Sequence, residues 1–114
     1  MNEEIKLILG EKLIISNEEI PISHFKYEGK SKKFITWVTG EETPALSAND
    51  EDICSICPVD VDVFSDGNYL DIVKEIKKLM KNKDWIWTGD SPEMYEEDTG
   101  LYHKTISFEK ERIL

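Results

Sequence analysis

Cys54 and Cys57 stand three apart as a single Cys-x-x-Cys pair. That spacing serves zinc or thiol–disulfide chemistry when the surroundings supply the remaining parts. A four-ligand zinc site needs a second pair, and here it would have to recruit distant groups such as His24 or His103. A redox pair opens a helix after a strand, whereas Pro58 and the valine alternation behind it place this one at a strand entrance. In an extended segment, positions three apart point to opposite faces. The pair therefore reads as two unrelated structural thiols.

The carboxylates come next. Asp60 and Asp62 share one face of a strand pattern, close enough for paired-carboxylate chemistry. Catalysis would need burial or a like charge in a cleft to move a pKa, and the neighbouring residues supply neither. A charged strand face in water is the simpler account. Neither Asn49-Asp50-Glu51-Asp52 nor Glu96-Glu97-Asp98 has the Gly-centred spacing of a calcium loop. No serine sits in G-x-S-x-G, and no glycine spacing matches a phosphate cradle. His103 falls opposite the apolar set of its strand pattern, so it reads as a solvent-facing or interface imidazole. Trp37, Trp85 and Trp87 have the rings to stack on bases but lack basic neighbours, so they read as core or interface anchors. The expectation is no enzyme, no cofactor and no metal.

Charge narrows the partners further. Fourteen basic residues face twenty-four acidic ones, a net charge of −10. Nucleic-acid binding depends on Lys and Arg neutralising phosphates, and a surface this acidic repels polyanions and anionic membranes at long range. It suits a basic protein partner, or a surface past which DNA slides without sticking. No apolar run approaches the roughly 20 residues that span a bilayer. The acidic start Met1-Asn2-Glu3-Glu4 lacks the basic region of a signal peptide. The chain is expected to fold and stay in the cytoplasm where it is made.

At 114 residues the chain reads as one domain, 1–114. Asn2 to Leu9 patterns as a short helix stopped by Gly10. Ile20 to Tyr27 and Lys33 to Thr39 read as two strands of a hairpin, with Pro21 near a strand start or edge. Gly40 to Asp52 has no periodicity and reads as a loop. Val59, Val61 and Val63 alternate with Asp60, Asp62 and Phe64, a half-buried strand with its valines inward. Ser65, Asp66 and Asn68 offer N-cap oxygens to a helix over 69–83. Its apolar stripe is Tyr69, Ile72, Val73, Ile76, Leu79 and Met80, with charged residues opposite. Trp85 to Thr88 and Leu101 to Glu109 read as strands flanking a polar excursion over 89–100. The predicted fold is α+β: an antiparallel sheet of about five strands packed by one main helix and a short N-terminal one, in the order α-β-β-β-α-β-β.

Two runs carry a resemblance. One is Val59-Asp60-Val61-Asp62-Val63-Phe64-Ser65-Asp66-Gly67-Asn68-Tyr69 leading into the helix. The other is Ser91-Pro92-Glu93-Met94-Tyr95-Glu96-Glu97-Asp98-Thr99-Gly100-Leu101-Tyr102-His103-Lys104 before the last strand. Together with Phe34-Ile35-Thr36-Trp37 and the acidic stretch through Asp50-Glu51-Asp52, this layout resembles the small tail-completion, or tail-terminator-like, proteins of long-tailed phages and prophages of Gram-positive bacteria. The resemblance covers about ninety residues and is weakest over the first twenty. It implies a helix-backed sheet that assembles with itself as a ring, usually a hexamer. Such a ring caps the tail tube and meets the head–tail connector, in the host cytoplasm during assembly and in the virion tail or neck afterwards. The family has no catalytic residues to carry over.

A closed ring needs a head-to-tail interface, which exposed strands and acidic loops can provide. Asp60 and Asp62, or the stretch with Glu41, Glu42, Asp50, Glu51 and Asp52, are the candidates to line or rim a channel through which DNA passes unbound. Within phage assembly the competing role is head completion in the neck. From a different class, a small acidic immunity or anti-nuclease inhibitor fits the net charge.

Overall fold

The computed structural model describes residues 2–48 and 51–113, with 45–48 and 51–53 described by backbone alone. In chain order these form α1 (Asn2–Leu9), β1 (Lys12–Ile15), β2 (Glu18–His24), β3 (Lys33–Thr39), β4 (Thr43–Ala48), β5 (Glu51–Ser65), α2 (Leu70–Lys81), β6 (Ile86–Asp90), β7 (Met94–Glu96) and β8 (Leu101–Ile113). The fold is α+β, but the sheet has eight strands and is mixed rather than antiparallel.

β5 is the spine. It pairs along its length with β8 on one side. On the other side it pairs first with β4 and then with β3, which lie end to end. β8 in turn carries β6 and β7 on its outer edge. Fifteen extended residues at about 3.3 Å each reach roughly 50 Å, which accounts for the 52 × 27 × 23 Å envelope.

Valine alternation gives the sheet its two faces. Val59, Val61 and Val63 are fully buried, and their register neighbours Ile35, Trp37, Ile106 and Phe108 lie on the same face. α2 lays Ile72, Val73, Ile76 and Met80 onto that layer, while α1 adds Ile5 and Leu9. Full burial of such a side chain contributes about 1.5–3 kcal/mol, so this one layer holds the fold. The helix spans 70–81, slightly inside the expected 69–83. No side chain caps it from the N-cap residue Tyr69; the carboxamide of Asn68 accepts from the Leu70 amide at 3.0 Å, and Ser65 Oγ accepts from the Gly67 amide at 3.2 Å. Gly10, at φ 73°, ends α1 with its amide on the Lys6 carbonyl at 2.8 Å.

Three expectations need correction. Ile20–Tyr27 and Lys33–Thr39 do not form a hairpin: β2 and β3 run parallel, with Ile22 opposite Ile35 and His24 opposite Trp37. β2's hairpin partner is β1, joined through Ser16 and Asn17 at φ 51° and 64°, the left-handed pair a tight two-residue turn requires. Pro21 sits where β2 leaves β1 for β3, so its missing N–H interrupts neither ladder's middle. The stretch 40–52 is not all loop either: 43–48 and 51–52 are strand, and 49–50 lie outside the described residues. β4 and the first part of β5 pair there as a hairpin, interrupted by register shifts around Leu46. Lastly, the 89–100 excursion contains β7, paired to the start of β8.

Candidate functional site

α1 and α2 cover one face of the sheet, and the even-numbered positions of β5 point to the other. Register assembles that second face into rows. Val38, Asp60 and Ser107 form one row, Thr36, Asp62 and Thr105 the next, and Phe34, Phe64 and His103 the third. Met94 of β7 extends the third row beyond His103 and is 42% exposed.

The carboxylates are tied into this face. Ser107 Oγ donates to Asp60 Oδ1 at 2.7 Å, and Thr105 Oγ1 donates to Asp62 Oδ1 at 2.5 Å. His103 Nε2 lies 3.1 Å from the same Asp62 oxygen. An ionised carboxylate only accepts, so the proton of that contact sits on Nε2. Asp62 and His103 are each about one-quarter exposed. Asp60 stands open to solvent. His103 is thus a half-buried imidazole on the open face, bonded to an aspartate across the ladder.

Beside the carboxylates runs an aromatic ladder that periodicity alone does not reveal. Tyr27 stacks on Phe34 at 4.5 Å, Phe34 on Phe64 at 4.5 Å, and Phe64 on the His103 ring at 4.2 Å. The last two contacts join direct register partners, where cross-strand aromatic pairs contribute most. Tyr27 reaches the ladder from the connection between β2 and β3, which therefore crosses on this side of the sheet. Only strand register brings Phe34, Phe64 and His103 into line, so no single segment of the sequence carries the signal.

The remaining expected residues lie elsewhere. Glu41 and Glu42 sit at the foot of β4, away from Asp60 and Asp62. Glu42 accepts from Ser55 Oγ at 3.0 Å and pairs with Arg112 at 3.2 Å. Those donors, Ser55 first and Cys57 next, hold its carboxyl below the ordinary range. Asp50 lies outside the described residues, and Glu51 and Asp52 are described only as backbone of β5. The run Met94 to Lys104 is a β-hairpin. Met94 faces His103, Tyr95 faces Tyr102 and Glu96 faces Leu101; the connection Glu97-Asp98-Thr99-Gly100 closes with Gly100 at φ 73°. Leu101 buries itself, Tyr95 and Tyr102 pack at 5.1 Å, and Lys104 reaches Asp90 at 3.8 Å.

Cys54 and Cys57 are buried on opposite faces of β5 and form no disulfide. Burial, then the Glu42 carboxylate, pushes the Cys57 thiol up, which keeps it protonated and a poor nucleophile. It borders a recess of about 160 Å³ with Glu4, Trp85, Lys110, Glu111 and Arg112. That volume is below the ~300 Å³ at which small-molecule sites begin. Among the described residues, no three His, Cys, Asp or Glu side chains come together as a metal site. No helix among them is long and apolar enough to cross a membrane. What the arrangement offers chemically is a surface: hydrogen-bonded acids beside stacked rings. No protein-family model matches the chain, and no curated protein is significantly similar to it.

Proposed function

We propose that this chain is a virion-assembly protein of a phage or prophage that completes the tail tube and helps join tail to head. It works as a ring-forming structural protein without catalytic chemistry. Its partners are further copies of itself, as a hexamer, the tail-tube protein and the head–tail connector. One observation carries the reading: Asp60, Asp62 and His103 lie side by side on the sheet face that no helix covers instead of converging in a cleft. Asp60, Asp62 and His103 are each held by a neighbour across the ladder, which suits a fixed recognition surface. The two runs that resemble tail-completion proteins supply part of that face: Asp60, Asp62 and Phe64 come from the first, Met94 and His103 from the second.

Light scattering on purified protein, alone and with tail-tube protein, tests the proposal. A ring-sized species is expected, formed outright or on addition of tube protein, and deletion of the gene should leave tails uncapped. A monomer under both conditions, with normal tails from the deletion strain, overturns it. The net charge of −10 favours a second reading as an acidic inhibitor of a basic nuclease. That reading requires instead a tight 1:1 complex that weakens steeply with salt.

A further inference from the structure

The chain's charge is unevenly distributed. α2 and the three residues after it carry Lys74, Lys77, Lys78, Lys81 and Lys83 against Asp71, Glu75 and Asp84. Lys77 pairs with Asp90 at 3.2 Å and lies 4.2 Å over the Trp87 ring. Lys74, Lys78, Lys81 and Lys83 make no ion pair among the described residues. Beside Lys81 runs a groove of about 390 Å³, bounded by Lys77 and Lys81 and lined by Trp85, Ile86, Trp87 and Phe108. Ile86 and Trp87 are 62% and 52% exposed. The groove follows β6, which among the described residues pairs with β8 alone and so keeps one backbone edge open. An open strand edge flanked by exposed apolar side chains is a template for another strand.

The complementary surface is on the same chain. β4, the first half of β5 and the end of β8 continue past β6 and β3 as a three-stranded arm. Glu41 and Glu42 stand at the foot of β4 and Glu109 and Glu111 on the end of β8, where Lys110 and Arg112 are already paired with Glu4 and Glu42. Of the arm's described acids, Glu41 and Glu111 are exposed and make no ion pair among the described residues. Ile113 at its end is 84% exposed. The arm cannot fold back onto its own groove, because its strands continue the body sheet without a break.

We infer that the acidic arm of one copy seats along the lysine-flanked β6 groove of the next. This rests on the assembly reading above and assigns its interface. The contact is head-to-tail, because arm and groove are different surfaces, and repetition closes into a ring where the rotation permits. The second copy is favoured over an unrelated partner because cationic groove and anionic arm are encoded together in a chain otherwise strongly acidic. Lysine–carboxylate pairing steers the encounter and sets the register. Trp87 and Ile86 supply the apolar centre.

The test uses the full-length chain. Lys77→Glu with Lys81→Glu reverses the groove, and Glu41→Lys with Glu111→Lys reverses the arm. Circular dichroism verifies the fold of each variant. Each double variant alone should associate at least tenfold more weakly than wild type. An equimolar mixture should assemble again, since each variant keeps one native surface and gains one that matches its partner. On wild type, a zero-length carbodiimide should join Glu41 or Glu111 of one copy to Lys81 of another. Rings that persist in both variants, or crosslinks that avoid these residues, overturn the arm–groove contact and leave the assembly reading standing. Wild-type protein that remains monomeric with and without tube protein overturns both.

Discussion

Glu93 accepts a hydrogen bond from the Tyr69 hydroxyl at 2.6 Å, joining the residue ahead of α2 to the segment between β6 and β7. Ionising the phenol would set two negative charges at that distance. The Glu93 contact, with burial adding to it, pushes the Tyr69 pKa up to about 12. Three consequences follow from the sign. The neutral phenol is favoured in the folded chain more than in the unfolded one. The resulting stability is present below pH 10, the ordinary value, and is lost as pH rises through about 12. In a spectrophotometric titration one tyrosine of the four should ionise late, and Glu93→Gln should return it toward 10 while flattening the alkaline loss of stability. Unchanged tyrosine absorbance curves between wild type and Glu93→Gln would remove the hydrogen bond as the cause. Neither sequence position announces this pair, since the residues are 24 apart and meet only after the sheet has formed.

At the scale of elements, what could be read in advance follows from what each element depends on. The stripe of α2 and the alternation of β5 are periodicities within one segment, and both faces are where those periods put them. Ile76 is fully buried and Leu70, six residues before it, is 64% exposed. Ile76→Ala should therefore cost about 2–4 kcal/mol through lost transfer and the cavity left behind, whereas Leu70→Ala should stay within about 0.5 kcal/mol. Urea unfolding with unchanged m-values measures both, and equal costs would mean that α2 does not pack as described. β4 escaped notice because Thr43-Pro44-Ala45-Leu46-Ser47-Ala48 has little β-branched content and an edge-strand proline. It exists because β5 offers it a partner. The parallel β2–β3 pairing was illegible for a related reason: alternation identifies a strand but carries no information about its direction. The candidate face shares this dependence, since Asp60 and Asp62 were readable as one face while Phe34, Phe64, Tyr27 and His103 needed register and a crossover to meet.

On the scale of the whole molecule, the excess negative charge acts through its placement. The open face presents Asp60 and Asp62 in adjacent rows, while the cationic residues of α2 lie with the helix layer, on the other side of the sheet. If copies close into a ring through arm and groove, each contributes an acidic sheet face of fixed orientation. Turned to the lumen, that face would keep DNA moving by repulsion, an effect that fades within about 8 Å at physiological salt. Replacing both aspartates with asparagine lowers the chain's net charge from −10 to −8 and leaves the acceptors of Thr105, Ser107 and His103 as amide oxygens. The fold and the ring should survive, because α2, β6 and the arm are untouched. DNA retention should change: virions assembled with the double variant are expected to eject DNA more slowly, and the slowing should shrink as salt rises. Ejection measured by dye fluorescence across a salt series separates the outcomes. Equal kinetics at every ionic strength would show that the carboxylates of this face do not act on passing DNA.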